Sequence, residues 1–363
     1  MSIEIQGLRK SFGSAVAVGG IDLHIPEGQM LVLLGPSGCG KTTTMRCIAG
    51  LETPDSGRIL IKGKPVYDGA AGIDIPVNRR RVGMVFQSYA IWPHMTVFEN
   101  VSFSLEMEGV ARDEMRERVH AILALVGLDG FAERGASYLS GGQMQRVALA
   151  RSLVMRPEVL LFDEPLSNLD ARLRDHLRVQ LREIQTQLNI TGVYVTHDQR
   201  EALALADRIV VMDMGNVLQV GDPVGLYNRP RTSTVAEFLG YSNIFDVGAV
   251  ERRGEGSVAI LKDTGRRLAV SVPVAGVADD LTLCVRPDDI AIAPFPSGDA
   301  PAAGIAGEVI LASFMGSHMQ YRVRTGEKEI WEVLTPKIST DIGLGARVIL
   351  DISPAHIHLL PRQ

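Results

Sequence analysis

The sequence is poor in cysteine and contains no long apolar run. Its 363 residues include only Cys39, Cys47 and Cys284, which are too few and too scattered for a disulfide framework or a zinc site and which fit a reducing cytosol. No stretch approaches the roughly 18 unbroken apolar residues of a membrane span, and the N-terminus lacks the apolar run of a signal peptide. We therefore expect any work at a membrane to depend on a partner that holds the chain there.

Basic residues are not in surplus either. The chain has 37 Lys and Arg residues against 42 Asp and Glu residues, a net charge of −5, whereas proteins that bind nucleic-acid phosphates usually carry a basic surplus. No nucleic acid is therefore expected as a main partner. Hydrophobic residues make up 46% of the chain, which is enough for substantial cores, and the length predicts two or three domains.

The first two thirds of the chain alternate short apolar runs with helix-period segments, from residue 3 to about 236. This pattern is typical of an α/β domain with a largely parallel sheet. We expect buried strands at 30–34, 82–86, 159–162 and 192–195. Apolar residues at helical spacing predict a helix over 171–188, and its buried face comprises Leu173, Leu177, Leu181, Ile184 and Leu188.

Two other regions differ from this pattern. Residues from about 88 to 156 are rich in helix formers and predict a helical insertion between two strands of the sheet. After about residue 238, short alternating segments separated by Gly, Pro and Asp predict a small all-β barrel or sandwich. We therefore expect an α/β domain over 1–237, with a helical subdomain at about 88–156, and a β-rich domain over 238–363.

A phosphate-binding loop follows the first of these buried strands. The pattern G-x-x-x-x-G-K-[ST] is matched by Gly35, Pro36, Ser37, Gly38, Cys39, Gly40, Lys41 and Thr42. Its glycines let backbone N–H groups converge on phosphate oxygens, and the N-terminus of the following helix, which includes Thr43, adds a partial positive charge. We expect Lys41 to reach the β- and γ-phosphates and the Thr42 hydroxyl to ligate Mg²⁺. A chance glycine-rich turn is the alternative, which the strand–loop–helix context disfavours.

An acidic pair ends the strand at 159–162. Asp163 is placed to hold Mg²⁺ through water, and Glu164 to orient or deprotonate an attacking water. Taken alone, two acids after a strand usually form an ordinary loop. Beside a phosphate loop, the catalytic interpretation is favoured, with ATP or a close relative as the substrate.

A second anion site is predicted in the middle of the helical insertion. Ser140, Gly141, Gly142 and Gln143 open a helix, whose N-terminus offers unpaired N–H groups and a favourable dipole. In isolation, a loop with an N-cap serine is the simpler interpretation. Because one chain needs only one γ-phosphate site, the second site makes sense if it completes the nucleotide pocket of another subunit.

Taken together and in this order, the motifs over residues 1 to about 235 resemble the nucleotide-binding domain of ABC transporters. The resemblance implies that Phe12 stacks on adenine with Val16 nearby, that Gln87 senses Mg²⁺ and the γ-phosphate, and that His197 is the switch histidine. It also implies a role in turnover for Glu164, His197, Lys41 and Gln87, and metal contacts for Thr42, Gln87 and Asp163. Each residue has an ordinary alternative, Phe12 as a core aromatic or Gln87 as a surface amide, but the joint spacing favours the family role.

The same resemblance implies partners and a location. In the family, two such domains sandwich two ATP molecules, so we expect a homodimer in which each phosphate loop faces the partner's Ser140–Gln143 segment. Transmembrane permease subunits would contact the segment after Gln87, where Trp92, Met95 and Phe98 lie, and a substrate-binding protein would act indirectly. The chain would then sit peripherally on the cytoplasmic face of the inner membrane. Asn168, in Ser167-Asn168-Leu169-Asp170, stands where the family often has Ala.

The C-terminal part resembles the oligonucleotide-binding-fold (OB-like, TOBE) regulatory domain of importers that use a substrate-binding protein. Its 238–245 segment favours the polyamine, ferric-iron and opine branch over the sugar branch, which includes maltose and glycerol-phosphate importers. A DNA-repair ATPase of this family would replace the helical insertion with a coiled coil, and a translation factor would carry two ATPase domains. A non-transport ABC ATPase is therefore the less favoured alternative, as is an exporter, which usually lacks the β domain.

Overall fold

The computed structural model describes residues 2–253, 256–271, 280–296, 304–327, 329–338 and 341–362. The chain divides into two compact units, Met1–Leu226 and Tyr227–Gln363. The expected division into functional domains after residue 237 stays a prediction.

The first unit is built on two sheets. Its strands are β1 (Ile3–Phe12), β2 (Ala15–Ile25), β3 (Met30–Leu34), β4 (Ser56–Ile61), β5 (Lys64–Asp68), β6 (Ile73–Asp74), β7 (Val82–Val85), β8 (Val159–Asp163), β9 (Thr191–Thr196), β10 (Arg208–Asp213) and β11 (Asn216–Gly221). One sheet is antiparallel, in the order β2-β1-β4-β5-β6. The other has the order β11-β10-β3-β9-β8-β7 and is parallel except for β11.

The parallel sheet explains the apolar runs of the sequence. Every residue of β3, β8 and β9 is buried, as expected for strands that are covered on both faces. The antiparallel sheet was not anticipated from the sequence, because β1 and β2 contain many exposed residues and therefore lack a continuous apolar run.

Eight α-helices are described. They are α1 (Lys41–Ala49), α2 (Val97–Met107), α3 (Arg112–Leu125), α4 (Gly141–Leu153), α5 (Ala171–Leu188), α6 (Gln199–Leu205), α7 (Pro223–Asn228) and α8 (Ser233–Phe238). Helices α2, α3 and α4 lie between β7 and β8, which are neighbours in the parallel sheet, so the helical insertion is confirmed. The prediction for α5 is right in its bounds but wrong for Leu188, which is 38% exposed because it lies at the last position, where Asn189 turns the chain into the left-handed region.

The second unit is all-β apart from short helical segments. Its strands are β12 (Asn243–Arg253), β13 (Gly256–Leu261), β14 (Arg267–Val270), β15 (Leu281–Val285), β16 (Ile290–Pro294), β17 (Ile305–Phe314), β18 (Met319–Arg324), β19 (Ile330–Thr335), β20 (Arg347–Ile352) and β21 (His358–Pro361). They form two antiparallel sheets, ordered β14-β13-β12-β15-β21 and β16-β20-β17-β18-β19.

One hydrophobic core joins these two sheets. It includes Val247 and Leu283 from the first sheet and Tyr321, Trp331 and Val348 from the second, all of them buried. The alternating segments of the sequence thus place one side of each strand in a shared interior. Within the described part of the chain, no helix is both long and apolar enough to cross a membrane.

Candidate nucleotide site

The loop from Gly35 to Thr42 connects β3 to α1 and requires glycine at two positions. Gly40 is the N-cap of α1 with φ 101°, and a Cβ on it would lie 2.1 Å from the carbonyl oxygen of Ala17. Gly38 has φ 83° but open space around it. Both residues adopt a backbone conformation that favours glycine, and Gly40 also packs too closely against the backbone for any side chain. Gly50 ends α1 in the left-handed region, as a C-terminal glycine should.

Lys41 lies inside this loop. Its side chain is almost completely buried, and its Nζ donates hydrogen bonds to the carbonyl oxygens of Gly35 and Pro36, both at 2.8 Å. The buried ammonium is therefore held by neutral backbone oxygens of the loop, and none of the ion pairs found in the described part of the chain includes it. Oxygens of a phosphate would be stronger acceptors for the same three protons.

Next to the loop, the Thr42 hydroxyl is hydrogen-bonded to the Asp163 carboxylate. The Oγ1 of Thr42 donates to Oδ1 of Asp163 at 3.1 Å, which brings the first turn of α1 to the end of β8. Burial raises the pKa of Asp163, while the Thr42 hydrogen bond and nearby Arg46 oppose that rise. A buried carboxylate whose charge is only partly compensated favours a cation beside it.

Glu164 follows directly and points to a histidine. Its backbone is left-handed, with φ 43°, and its Oε2 lies 3.1 Å from Nδ1 of His197. Because β8 and β9 are adjacent parallel strands, residues beyond their carboxyl ends meet at one edge of the sheet. A non-glycine residue in this conformation costs about 1–3 kcal/mol, and such residues cluster at functional sites.

Gln87 is linked to the segment that follows Glu164. Its Nε2 donates to Oγ of Ser167 at 3.2 Å, and Nδ2 of Asn168 donates to the Gln87 carbonyl oxygen at 3.0 Å. Ser167 in turn donates from Oγ to the carbonyl oxygen of Glu164 at 2.9 Å. A chain of two hydrogen bonds through the Ser167 hydroxyl thus connects the Gln87 side chain with the backbone of the predicted catalytic acid.

The segment from Ser140 to Gln143 begins α4 with reciprocal capping. The Ser140 Oγ accepts from the Gln143 N–H at 3.4 Å, and the Gln143 Oε1 accepts from the Ser140 N–H at 2.9 Å. A Cβ on Gly142 would come within 2.9 Å of Leu173 on α5, so α4 and α5 are in close contact there. Among the described residues, no hydrogen bond joins this segment to the chain's own phosphate loop.

The predicted adenine contacts lie on the surface. Phe12 is 52% exposed and Val16 is 59% exposed, at the turn that connects β1 to β2. The Nζ of Lys10 lies 5.2 Å from the centre of the Phe12 ring. Because the Phe12 ring is largely exposed on a hairpin, Phe12 is not a core aromatic residue, which was the alternative to adenine stacking.

The oxygen donors at this site suit Mg²⁺. Thr42 and Asp163 offer a hydroxyl and a carboxylate, the hard ligands that Mg²⁺ accepts alongside waters and phosphate oxygens. Within the described residues, no cluster of three or more His, Cys, Asp or Glu side chains could enclose a metal by itself. The donor set therefore fits an ion shared with a phosphorylated substrate. Gln87 does not contact either residue in this arrangement, because its amide is bonded to Ser167.

Sequence reasoning missed one residue that shapes this region, Arg151 on α4. Its guanidinium donates to the carbonyl oxygens of Tyr89 and Ala90, just after Gln87. These contacts join residues 61 and 62 positions apart, so no local pattern could have revealed them.

The chain is similar to known proteins over most of its length. A family model described as ABC transporter matches residues 18–167, and a TOBE domain model matches residues 283–360. The Fe(3+) ions import ATP-binding protein FbpC of Rhizobium etli is 47% identical over 89% of this chain and 88% of its own length. The chain belongs to the ATP-binding subunits of ABC-type importers. The protein of the same name from Escherichia coli O157:H7 is 42% identical over 99% of this chain and 97% of its own length.

A solved structure supports the fold of this importer ATPase. The structure of cbiO1 from Clostridium perfringens, described as part of the ABC transporter complex cbiONQ, is 32% identical with a TM-score of 0.57, and the match covers 62% of this chain and 90% of that one. The predicted fold class is confirmed: a P-loop α/β unit with a helical insertion, followed by a small all-β OB-like unit. The activity is confirmed as well: the chain binds and hydrolyses ATP to power import.

Proposed function

We propose that this ATPase drives ferric-iron import, as a homodimer with Mg²⁺-ATP at its interfaces, from the cytoplasmic face of the inner membrane. The observation that supports ATP hydrolysis is that two side-chain contacts lie at one edge of the parallel sheet. Thr42 contacts Asp163, and Glu164 contacts His197. Transmembrane permease subunits are the partners in this proposal, and a substrate-binding protein delivers the solute.

The site residues divide the work of hydrolysis. Lys41 exchanges its backbone acceptors for phosphate oxygens, and the backbone N–H groups of the loop bind the remaining oxygens. Thr42, Asp163 and Gln87 would hold Mg²⁺, which when bound neutralises charge that develops on the phosphates. Gln87 would first give up its hydrogen bond to Ser167.

Glu164 acts on the attacking water. The carboxylate orients the water and accepts its proton while the oxygen attacks the γ-phosphorus and the bond to ADP breaks. His197, 3.1 Å from Oε2, fixes the direction of that carboxylate. A carboxylate on a strained backbone with one defined partner is oriented before the substrate arrives.

The homodimer is supported by the segment from Ser140 to Gln143. It presents a helix N-terminus on the surface, where a γ-phosphate of a second copy could accept from its N–H groups. This segment makes no hydrogen bond to its own phosphate loop among the described residues, which supports the assignment of this contact to a second chain. The adenine would stack on the exposed Phe12 ring beside Val16.

Ferric iron is the proposed solute because several relatives, 42–47% identical over most of their length, are named as ferric-iron import proteins. Polyamine and sugar import remain the competing proposals. The chain itself carries no solute site in this scheme, so the test must include the partners.

Reconstitution with the cognate permease and binding protein tests the proposal. We expect ATP hydrolysis to rise when the binding protein carries Fe³⁺ and to stay near the basal rate when that protein is empty. Polyamine-loaded and maltose-loaded binding proteins are the comparisons, and stimulation by one of these alone would replace iron as the solute. A Glu164→Gln chain in the same membranes is the control, since any phosphate release it shows comes from a contaminating ATPase.

A further inference from the structure

The segment between β7 and α2 contains two consecutive non-glycine residues with left-handed backbone. Tyr89 has φ 61° and Ala90 has φ 49°. Each such residue costs about 1–3 kcal/mol, so the segment needs outside contacts to keep this shape. It begins at Gln87 and leads to Trp92, the first of the three residues predicted to contact the permease.

Arg151 supplies two of these contacts. Its NH1 donates to the Ala90 carbonyl oxygen at 2.6 Å and its NH2 to the Tyr89 carbonyl oxygen at 2.9 Å. The same guanidinium lies 4.8 Å from the centre of the Trp92 ring. Burial lowers the pKa of Arg151, and none of the ion pairs found among the described residues includes it. A planar fork can bond two adjacent carbonyls at once, which an ammonium cannot do with the same geometry.

Arg151 lies on the helix that starts at the second anion site. It follows Ser140 by 11 positions on α4, which is roughly 16 Å along a helix axis. A rigid helix moves as one body, so a displacement at its N-terminus reaches Arg151. The guanidinium then acts on Tyr89, Ala90 and Trp92 together.

Asn168 holds the other end of the segment. Its Nδ2 donates to the Gln87 carbonyl oxygen at 3.0 Å, and Ser167 beside it accepts from the Gln87 side chain. Alanine, which the family often has in place of Asn168, offers no donor. Three carbonyl groups of one short segment, at positions 87, 89 and 90, are therefore bonded by side chains from two different places, α4 and the segment that follows Glu164.

We propose that Arg151 and Asn168 are positioning residues, which hold the segment from Gln87 to Trp92 by its own carbonyl groups and transmit movement of α4 to the permease-facing surface. Neither side chain touches the substrate in this scheme. The transmission to a permease rests on the proposed function, whereas the positioning of the segment does not.

Tryptophan accessibility tests the positioning alone. The chain has two tryptophans, and Trp331 is completely buried, so acrylamide quenching of the full-length chain reports on Trp92. We expect Arg151→Lys to raise the quenching constant of Trp92 and to reduce its change on ATP addition. Asn168→Ala, which removes a single hydrogen bond, should reduce the ATP-dependent change with less effect on the resting value. Quenching identical to wild type in both variants would overturn the proposal.

Stimulated hydrolysis tests the transmission. In the reconstituted transporter we expect Arg151→Lys to keep its basal rate but to lose stimulation by the loaded binding protein by on the order of tenfold, within the range of typical coupling between sites. Arg146→Lys is the matched control, because Arg146 is a second partly buried arginine on α4 that bonds Gly142 and Gly127 instead of this segment. Equal losses in both variants would mean a general loosening of α4 and would refute a specific role.

The two proposals can fail separately. If the wild-type transporter shows no stimulation by an iron-loaded binding protein, the proposed solute is wrong, while the quenching result still decides whether Arg151 positions the segment. If wild type is stimulated and Arg151→Lys is stimulated equally, the transmission is refuted and the proposed function stands.

Discussion

At the scale of single residues, the site depends on side chains whose geometry is fixed before substrate binds. Glu164 combines a left-handed backbone with a histidine 3.1 Å from its carboxylate. Asp163 is buried against Thr42, and Lys41 is buried against backbone oxygens. Each of these groups would gain a stronger partner from Mg²⁺-ATP than it has in the protein alone, which favours binding without rearrangement of the sheet edge.

The first prediction concerns the proposed base. Glu164→Gln keeps the size of the side chain but cannot accept a proton, so we expect kcat to fall by about 10³-fold while the affinity for ATP stays close to wild type. ATP would then accumulate between two chains, and size-exclusion chromatography with Mg²⁺-ATP should show a stable dimer. Wild-type hydrolysis by this variant would refute the assignment of the base.

The second prediction concerns His197. Replacing it with alanine removes the partner that orients the Glu164 carboxylate, and we expect hydrolysis to fall by roughly 10²-fold with little change in nucleotide binding. His176 on α5 is a suitable control, since it lies on an exposed position of a helix and contacts none of these side chains. An unchanged rate for His197→Ala would exclude the role.

At the scale of elements, the phosphate loop depends on backbone conformations that only glycine adopts easily. We expect Gly40→Ala to destabilise the nucleotide-free chain by about 3 kcal/mol, because the new Cβ would add a clash with the Ala17 carbonyl to the left-handed strain. Gly38→Ala introduces the left-handed backbone strain without a clash and should lower the free energy of unfolding by about 1 kcal/mol. Urea unfolding of both variants measures the difference, and equal costs would contradict the packing argument.

The elements also show what the sequence can predict. Helix α5 and strand β3 have the bounds that their residue patterns predict, because burial of a regular face is a local signal. The phosphate loop, Gly50 and the capping box at Ser140 are local as well. The prediction that Leu188 is buried was wrong, because a leucine at helical spacing is buried only if another element covers it. The spacing of residues along one helix does not show which positions other elements cover.

Contacts between distant segments could not be predicted. The hydrogen bond from Gln87 to Ser167 spans 80 positions, and the bonds from Arg151 to Tyr89 and Ala90 span more than 60. The family resemblance placed Gln87 at the site but gave no reason for Arg151. Such contacts depend on how β7, β8 and the helical insertion are arranged in space, so they become visible only in the structure.

At the scale of the whole molecule, each unit contains one tryptophan, so each can be followed separately in the full-length chain. Trp92 lies in the first unit and Trp331 in the second. The Nε1 of Trp331 donates to Oε1 of Glu329 at 2.7 Å, and the Nε of Arg266 donates to the same oxygen at 2.6 Å. The fluorescence of Trp331 should therefore report directly on this buried ion pair.

The last prediction uses that pair to test what stabilises the second unit. Burial by itself would raise the pKa of Glu329, but hydrogen bonds from Trp331 and Thr325 and the charge of Arg266 outweigh it, so the pKa lies below its ordinary value of 4.5. A lowered carboxyl pKa stabilises the fold at pH values above the ordinary pKa, and this contribution is lost as the pH falls from the ordinary pKa through the lowered pKa of the folded protein.

We therefore expect Glu329→Gln to destabilise the second unit by about 2 kcal/mol at pH 7, because a charged acceptor of several hydrogen bonds is lost. The gap to wild type should begin to close as the pH falls below 4.5, where Glu329 of the unfolded wild-type chain is protonated, and it should vanish below the lowered pKa of the folded chain. Urea unfolding of the second unit, followed by Trp331 in a Trp92→Phe background at several pH values, measures the gap. Glu308→Gln, which breaks a half-exposed pair with Arg324, is the matched control and should show little change at any pH. A gap for Glu329→Gln that stays constant from pH 7 to the most acidic pH at which both chains still fold, well below 4.5, would mean that the side chain stabilises this unit through packing instead of charge.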